Sequence, residues 1–188
     1  MNILFLGYKN CKLFNFLNNL YNVTHTEEKI KTEALEDFDW VISFGYKHIL
    51  KSDFISRFYR KIINLHISYL PYNRGSHPNV WSFVEDTPKG VTIHLIDDGI
   101  DTGDILLQKT VKFSDSENTL SSTYKRLIEE IQNLFIENID ALLYNKIEPT
   151  PQIGEHSHHL VKDLNKIKHL LVDCWETKVS ELCIKEQT

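Results

Sequence analysis

Glycine and proline are scarce in this chain, at 7 and 5 among 188 residues. The composition excludes collagen-like, low-complexity and disordered readings. Their placement is uneven as well. Pro71, Gly75, Pro78, Pro88, Gly90, Gly99 and Gly103 put seven of the twelve within 33 positions. Evenly spread punctuation would suit a β-sandwich, whereas this clustering marks one stretch of demanding backbone geometry. Cysteine is also sparse: Cys11, Cys174 and Cys183 are odd in number and widely spaced. That pattern excludes a disulfide framework and fits reduced thiols in a cytosol. Long hydrophobic runs are missing. The N-terminal MNILFLG holds an apolar run of about five residues, too short for a signal-peptide core or a membrane span. The expectation is a soluble, cytoplasmic protein. Finally, 21 Lys+Arg against 26 Asp+Glu gives a net charge of −5. Phosphate affinity comes mainly from clustered Lys and Arg, so nucleic acid is disfavoured as the main partner.

What remains is ordinary globular material, 41% hydrophobic and 25% charged, enough for one domain with a sizeable core. The pattern alternates. Asn2–Gly7 reads as a buried strand, followed from Cys11 by apolar residues at helical spacing. Val23–Thr26, Trp40–Phe44 and Ile62–His66 read as further strands, and Ser52 as the N-cap of a helix running to about Arg60. Pro71 and Gly75 interrupt regular structure. Pro78 suits the first turn of a helix holding Val80, Trp81, Phe83 and Val84, with Trp81 on its core stripe. Gly90 opens a strand, Gly99 to Gly103 makes a turn, and Ile105–Phe113 returns as another strand. Thr119–Tyr144 carries apolar residues in steps of three and four and predicts one long amphipathic helix. The division expected is 1–148 for the main domain and 149–188 for a short C-terminal extension, helical from about Val161 to Asp173.

One constellation carries chemistry. A strand's period of two puts Asn64 and His66 on one face, and in open α/β sheets ligands gather at the carboxyl ends of strands. Downstream, Asp97, Asp98, Asp101 and Asp104 surround two glycines, where a turn can aim a carboxylate back at those strand ends. An amide donor, an imidazole that moves a proton and a carboxylate that orients it suit acyl transfer. No Ser or Cys stands in a nucleophile's context, which favours direct transfer to an outside nucleophile. From the residues alone, a strand-end histidine is more often structural and an Asp-Gly turn is usually only a turn.

The ordered set Asn64-Leu65-His66-Ile67-Ser68-Tyr69-Leu70-Pro71, Arg74-Gly75, Gly90-Val91-Thr92-Ile93-His94 and Ile100-Asp101-Thr102-Gly103-Asp104-Ile105 resembles the formyltransferases that use N10-formyltetrahydrofolate. The resemblance runs from the first strand to about Tyr144. It implies an α/β fold with a Rossmann-like, open, mostly parallel sheet flanked by helices. It also implies a catalytic set of Asn64, His66 and Asp101, with no metal. The donor N10-formyltetrahydrofolate would be held by Phe44, Gly45, Tyr46, Lys47, His48, Ile49 and Leu50 together with Asp97, Asp98, Gly99 and Ile100.

Three branches share this core. The purine branch has a glycine-rich phosphate loop after the first strand, but here Gly7-Tyr8-Lys9-Asn10-Cys11-Lys12 offers a single glycine. The initiator-tRNA branch carries a nucleic-acid-gripping second domain, which a short acidic chain fits poorly. The loop Tyr69–Asn79 looks most like enzymes acting on nucleotide-linked amino-deoxysugars. Tyr72, Asn73, Arg74, Gly75, His77 and Asn79, with Tyr8 and Lys9, would then meet the acceptor, Arg74 through its diphosphate. A formyl-folate hydrolase and a folate-binding protein without activity are the competing readings. A homodimer is compatible with the resemblance. His156, His158, His159 and His169 match no metal-ligand spacing, so the tail reads as a surface segment folding over the acceptor cleft. Cys174-Trp175-Glu176 through Val179–Leu182 resembles the closing segment of short family members and has no role in this reading.

Overall fold

The computed structural model describes residues 1–30 and 37–182; Cys183 lies outside them. In chain order the elements are β1 (Asn2–Gly7), α1 (Lys12–Leu20), β2 (Asn22–Thr26), β3 (Trp40–Phe44), α2 (Ser52–Arg57), β4 (Ile62–His66), β5 (Arg74–Gly75), α3 (Pro78–Val84), β6 (Gly90–Leu95), β7 (Ile105–Thr110), α4 (Leu120–Glu137), α5 (Ile139–Leu143) and β8 (His158–His159), followed by 3-10 turns. The fold is α/β, with a mostly parallel six-stranded sheet in the order β2-β1-β3-β4-β6-β7. β1 pairs in parallel with β2 and β3, and β3 with β4. β1 and β3 are buried almost throughout, which is why NILFLG and WVISF read as continuous apolar runs rather than alternating ones. β6 and β7 form a hairpin. The Leu95 N–H donates to the Asp104 carbonyl at the turn, and the Val111 N–H to the Lys89 carbonyl at the open end, both at 2.9 Å. No helix among the described residues is long and apolar enough to cross a membrane.

The chain forms two compact, discontinuous units. The first comprises Met1–His66, Ile93–Leu107 and Gln132–Pro151; the second comprises Ile67–Thr92, Gln108–Ile131 and the chain from Gln152 on. In the first, Leu4, Leu6, Val41, Phe54 and Ile62 form one core cluster. Polar links tie distant segments to it: the Leu13 N–H donates to Gln132 Oε1, and the Trp40 indole N–H to the Leu143 carbonyl, each at 3.0 Å. In the second, Val80, Trp81, Val84, Leu120, Ile167 and Leu182 form the core.

Several boundaries differ from the sequence expectation. Lys51, not Ser52, occupies the N-cap of α2, and Ser52 is its first helical residue. Inside the first turn Asp53 Oδ1 accepts the Phe54 N–H at 2.9 Å, and its charge suits the positive helix end. The helix stops at Arg57, and Arg60 then adopts a left-handed φ of 57°. The long helix is broken at Asn138, whose φ of −116° and ψ of 16° leave the helical region. Its side-chain amide donates to the Leu134 carbonyl at 2.9 Å, taking a bond the helix would otherwise use.

The tail is the larger correction. Most of its described residues are exposed, as expected of a surface segment, but it is pinned to the second unit at several buried positions. β8 pairs with β5, matching Arg74 with His158 and Gly75 with His159. His159 stacks on Trp81 with ring centroids 3.9 Å apart and planes 6° apart. The segment Val161–Leu170 is 3-10 rather than α-helical, and it delivers Ile167, only 4% exposed, to the second core. Ile167→Ala is therefore expected to lower stability in denaturant titration by about 2–5 kcal/mol, the usual cost of emptying a core site. A surface segment would tolerate the change within about 0.5 kcal/mol.

Candidate active site

β4 ends in Asn64-Leu65-His66, and its period of two sends Asn64 and His66 toward the same carboxylate. Asn64 Nδ2 donates to Asp101 Oδ1 at 3.1 Å. His66 Nδ1 lies 3.5 Å from Asp101 Oδ2. The three residues expected to act together are thus one cluster, each carboxylate oxygen facing a different partner. Asp101 is only 14% exposed and His66 is buried, so the cluster is shielded from water.

A fourth member has no role in the sequence expectation. His94 on β6 is buried, and its Nε2 lies 3.1 Å from Asn64 Nδ2 and 3.4 Å from Asp101 Oδ1. Its Nδ1 is 2.7 Å from the Leu95 carbonyl, which can only accept. The Nδ1 position therefore carries a proton. In a neutral His94 the Nε2 lone pair is left to accept from Asn64. The two amide hydrogens of Asn64 then go to His94 and Asp101, which fixes the carboxamide orientation. The spacing of His94 seven residues before Asp101, across one hairpin turn, was the available signal.

The turn that presents Asp101 is built locally. Asp97 Oδ1 accepts the Gly99 N–H at 3.1 Å and the Thr102 hydroxyl at 2.6 Å. Asp101 itself takes a φ of 53°, a left-handed conformation that aspartate tolerates better than most residues. Gly103 lies so close to β6 that a Cβ there would stand 1.9 Å from the Leu95 carbonyl oxygen. Only glycine permits this approach, so the turn needs both glycine bulk at 103 and a tolerant residue at 101.

The two loops assigned to the donor share one footing. Tyr46 and Leu50 from the first, and Ile96 at the root of the second, pack on the cluster of Leu4, Leu6, Val41, Phe54 and Ile62. Tyr46 Oη donates to the Glu28 carbonyl at 2.8 Å and accepts the Ile30 N–H at 3.1 Å, and burial pushes its phenol above the ordinary value. Ile49 and Ile100 are the exposed aliphatic residues of these loops, while Asp97 is occupied in its own turn. Lys47, His48 and Asp98 are exposed, and Phe44 is buried behind them.

The residues assigned to the acceptor divide. Asn73 is wholly buried: its amide nitrogen donates to Glu85 and Ser157, and its oxygen accepts from Thr87. Asn79 is also buried, donating to the Leu120 carbonyl and Thr123 Oγ1. Both side chains are buried and bonded within the fold, so the exposed acceptor contacts expected of them are not what their amides make here. Gly75 pairs with His159. Arg74 donates through Nε and Nη2 to Gln152 Oε1 at 3.1 and 2.8 Å, an arrangement that orients the guanidinium. Tyr72 is half-buried, and His77 stacks on Trp175. In the first unit, Tyr8 packs edge-on against Phe44 and Lys9 is exposed.

Residues 11–139 match the family described as formyl transferase. Methionyl-tRNA formyltransferase of Thermodesulfovibrio yellowstonii is 36% identical over 132 residues, 69% of this chain and 42% of that one. The dTDP-4-amino-4,6-dideoxyglucose formyltransferase of Mycobacterium bovis is 32% identical over 138 residues, 73% of this chain and 58% of that one. The chain therefore spans about half the length of these curated relatives, 42% and 58%. Among solved structures, the formyltransferase PseJ from Anoxybacillus kamchatkensis, in complex with UDP-4,6-dideoxy-4-formamido-L-AltNAc and tetrahydrofolate, superposes with a TM-score of 0.92 at 43% identity and 97% coverage of both chains. A likely sugar N-formyltransferase from Mycobacterium tuberculosis, Rv3404c, gives a TM-score of 0.75 at 26% identity over 88% of this chain and 78% of that one. With more than half its length matched and its sheet superposing on these proteins, the chain belongs to the formyl transferase family.

Proposed function

We propose that this chain transfers the formyl group of N10-formyltetrahydrofolate to the 4-amine of a UDP-linked 4-amino-4,6-dideoxy sugar. The observation that carries the transfer is the convergence of Asn64 and His66 on the two oxygens of Asp101. The acceptor class is supported by the end-to-end likeness to PseJ, whose bound sugar carries its formamide at position 4. The exposed Ile49 and Ile100, on loops tethered by Tyr46 and Ile96, fit the apolar faces of a planar heterocycle. When bound, the donor supplies an activated formyl carbon. A cytoplasmic setting is supported by the sparse cysteines: among the described residues Cys11 and Cys174 are free thiols, that of Cys11 pushed up by burial.

The cluster then acts in sequence. Asp101 holds His66 and stabilises its imidazolium form. As the acceptor amine attacks, negative charge grows on the formyl oxygen, and Asn64 Nδ2 is the donor placed to meet it. The hydrogen it directs at Asp101 Oδ1 is then shared with the formyl oxygen, so the amide need not rotate. His94 keeps the second hydrogen and so keeps the amide from rotating. The amine's proton passes through His66 and Asp101, the C–N bond to the acceptor forms, the bond to the departing folate nitrogen breaks, and that nitrogen takes a proton back.

Asn64→Ala is expected to lower kcat by about 10²–10³ while the acceptor KM changes little, because the lost bond matters mainly as charge develops. Steady-state kinetics checks this, and equal kcat would remove Asn64 from the mechanism. Gly103→Ala should displace Asp101 and lower kcat by at least about 10², the scale of losing a positioned acid–base group. The activity assay incubates the chain with N10-formyltetrahydrofolate and UDP-4-amino-4,6-dideoxy-L-AltNAc and reads products by mass. One formyl group gained by the sugar is expected. Formate released without a formylated sugar, or no reaction, overturns the reading.

A further inference from the structure

The segment around Trp175 has no part in the mechanism above, yet it is built with care. Trp175 sits in a 3-10 turn, Cys174–Glu176, that opens with Cys174 in a left-handed φ of 49°. Backbone bonds clamp the residues beyond the turn: the Leu120 N–H donates to the Thr177 carbonyl at 3.1 Å, and the Val179 N–H to the Asn118 carbonyl at 2.9 Å. Thr177 is buried, and its Oγ1 accepts the Asp173 N–H at 3.0 Å. The result is a fixed turn that leaves its indole 49% exposed.

The indole is not bare on its inner side. His77 lies against it, with ring centroids 5.9 Å apart and planes 22° apart, an offset stack. Burial alone pushes His77 below its ordinary imidazole value, so the ring beneath is neutral at neutral pH. The second unit contains another tryptophan–histidine stack for comparison. There Trp81 and His159 are both buried, and their contact is part of the core. The Trp175 stack differs in presenting aromatic surface to solvent from a strained, clamped turn, a pattern associated with recognition. His77 also follows Arg74 by three residues, so their Cα atoms lie within about 11 Å. A guanidinium held toward Gln152 and an aromatic surface reached through the same loop offer the two kinds of group that a nucleoside diphosphate needs, a cation for the phosphates and a face for the base.

We propose that Trp175, seated on His77, is the platform on which the pyrimidine base of the nucleotide-linked acceptor stacks. The assignment rests on the acceptor reading above and adds to it the group that recognises the nucleotide. Stacking on an aromatic tolerates different bases, so the platform supplies affinity for the nucleotide, while the sugar is selected elsewhere.

The protein carries its own probe. Of its three tryptophans, Trp40 and Trp81 are 5% exposed and Trp175 is 49% exposed, so a base stacking on Trp175 alters the emission of the solvent-facing indole. Titrating the full chain with UDP, and in parallel with dTDP, is expected to quench that emission. By calorimetry, Trp175→Ala should bind UDP roughly 5- to 150-fold more weakly, while Trp175→Phe retains most of the affinity. At saturating acceptor, kcat of Trp175→Ala should stay within about twofold of wild type, with the loss in KM. Unchanged wild-type emission at saturating UDP and dTDP overturns the proposal, and this arm needs no variant to fold. So does a folded Trp175→Ala that binds UDP as wild type does. If UDP quenches and depends on Trp175 but no UDP-amino sugar is formylated, the platform stands and the acceptor reading fails.

Discussion

The Asp101 carboxylate is the hub of the site: Asn64 is held by one oxygen, His66 faces the other, and His94 leans on the first. Without its charge, an amide and two imidazoles would face one another in a half-dry space with no shared acceptor. Within such a shielded cluster each polar contact is stronger than in water, and each missing partner costs more. The arrangement also divides labour between the two histidines. His94 is pinned by the Leu95 carbonyl, whereas His66 faces Asp101 Oδ2.

Holding that carboxylate in place depends on packing as much as on polar chemistry. The hairpin between β6 and β7 must bring Gly103 almost onto the backbone of Leu95, and the residue that projects from the resulting turn must accept a left-handed φ. The parallel strand carrying Asn64 and His66 is buried along most of its length. Rigid strands on one side and a tightly closed turn on the other leave the cluster few ways to loosen, which is the condition for donors to act without reorganisation.

Much of this was legible in the sequence for identifiable reasons. Buried parallel strands announce themselves as apolar runs, and a period of two places Asn64 beside His66 before any coordinates exist. The punctuation between 71 and 103 marked the turn of Asp101. Other features were hidden because they depend on partners far along the chain. His94 sits in the strand GVTIHL, where its ring bonds its own neighbour's carbonyl, and only its spacing from Asp101 hinted at a place in the cluster. Asn73 and Asn79 look like ligands in a loop, but Glu85, Thr87, Leu120, Thr123 and Ser157 absorb them. The polar composition of the tail concealed Ile167 and Leu182, since two apolar residues in a 3-10 segment make no periodic stripe.

The pairing of β5 with β8 has a consequence in time. Arg74 takes its side-chain partner from Gln152, 78 positions later, and Asn73 takes one from Ser157, 84 positions later. At about 5–20 residues per second of synthesis, roughly 4–16 s pass before the ribosome delivers those partners. The loop bearing Arg74 and His77 thus waits, unfinished, while the strand bearing Asn64 and His66 already has its neighbour β3, and β1 beyond it, in hand. In the growing chain, the loop proposed to recognise the acceptor would mature after the strand proposed to carry the chemistry.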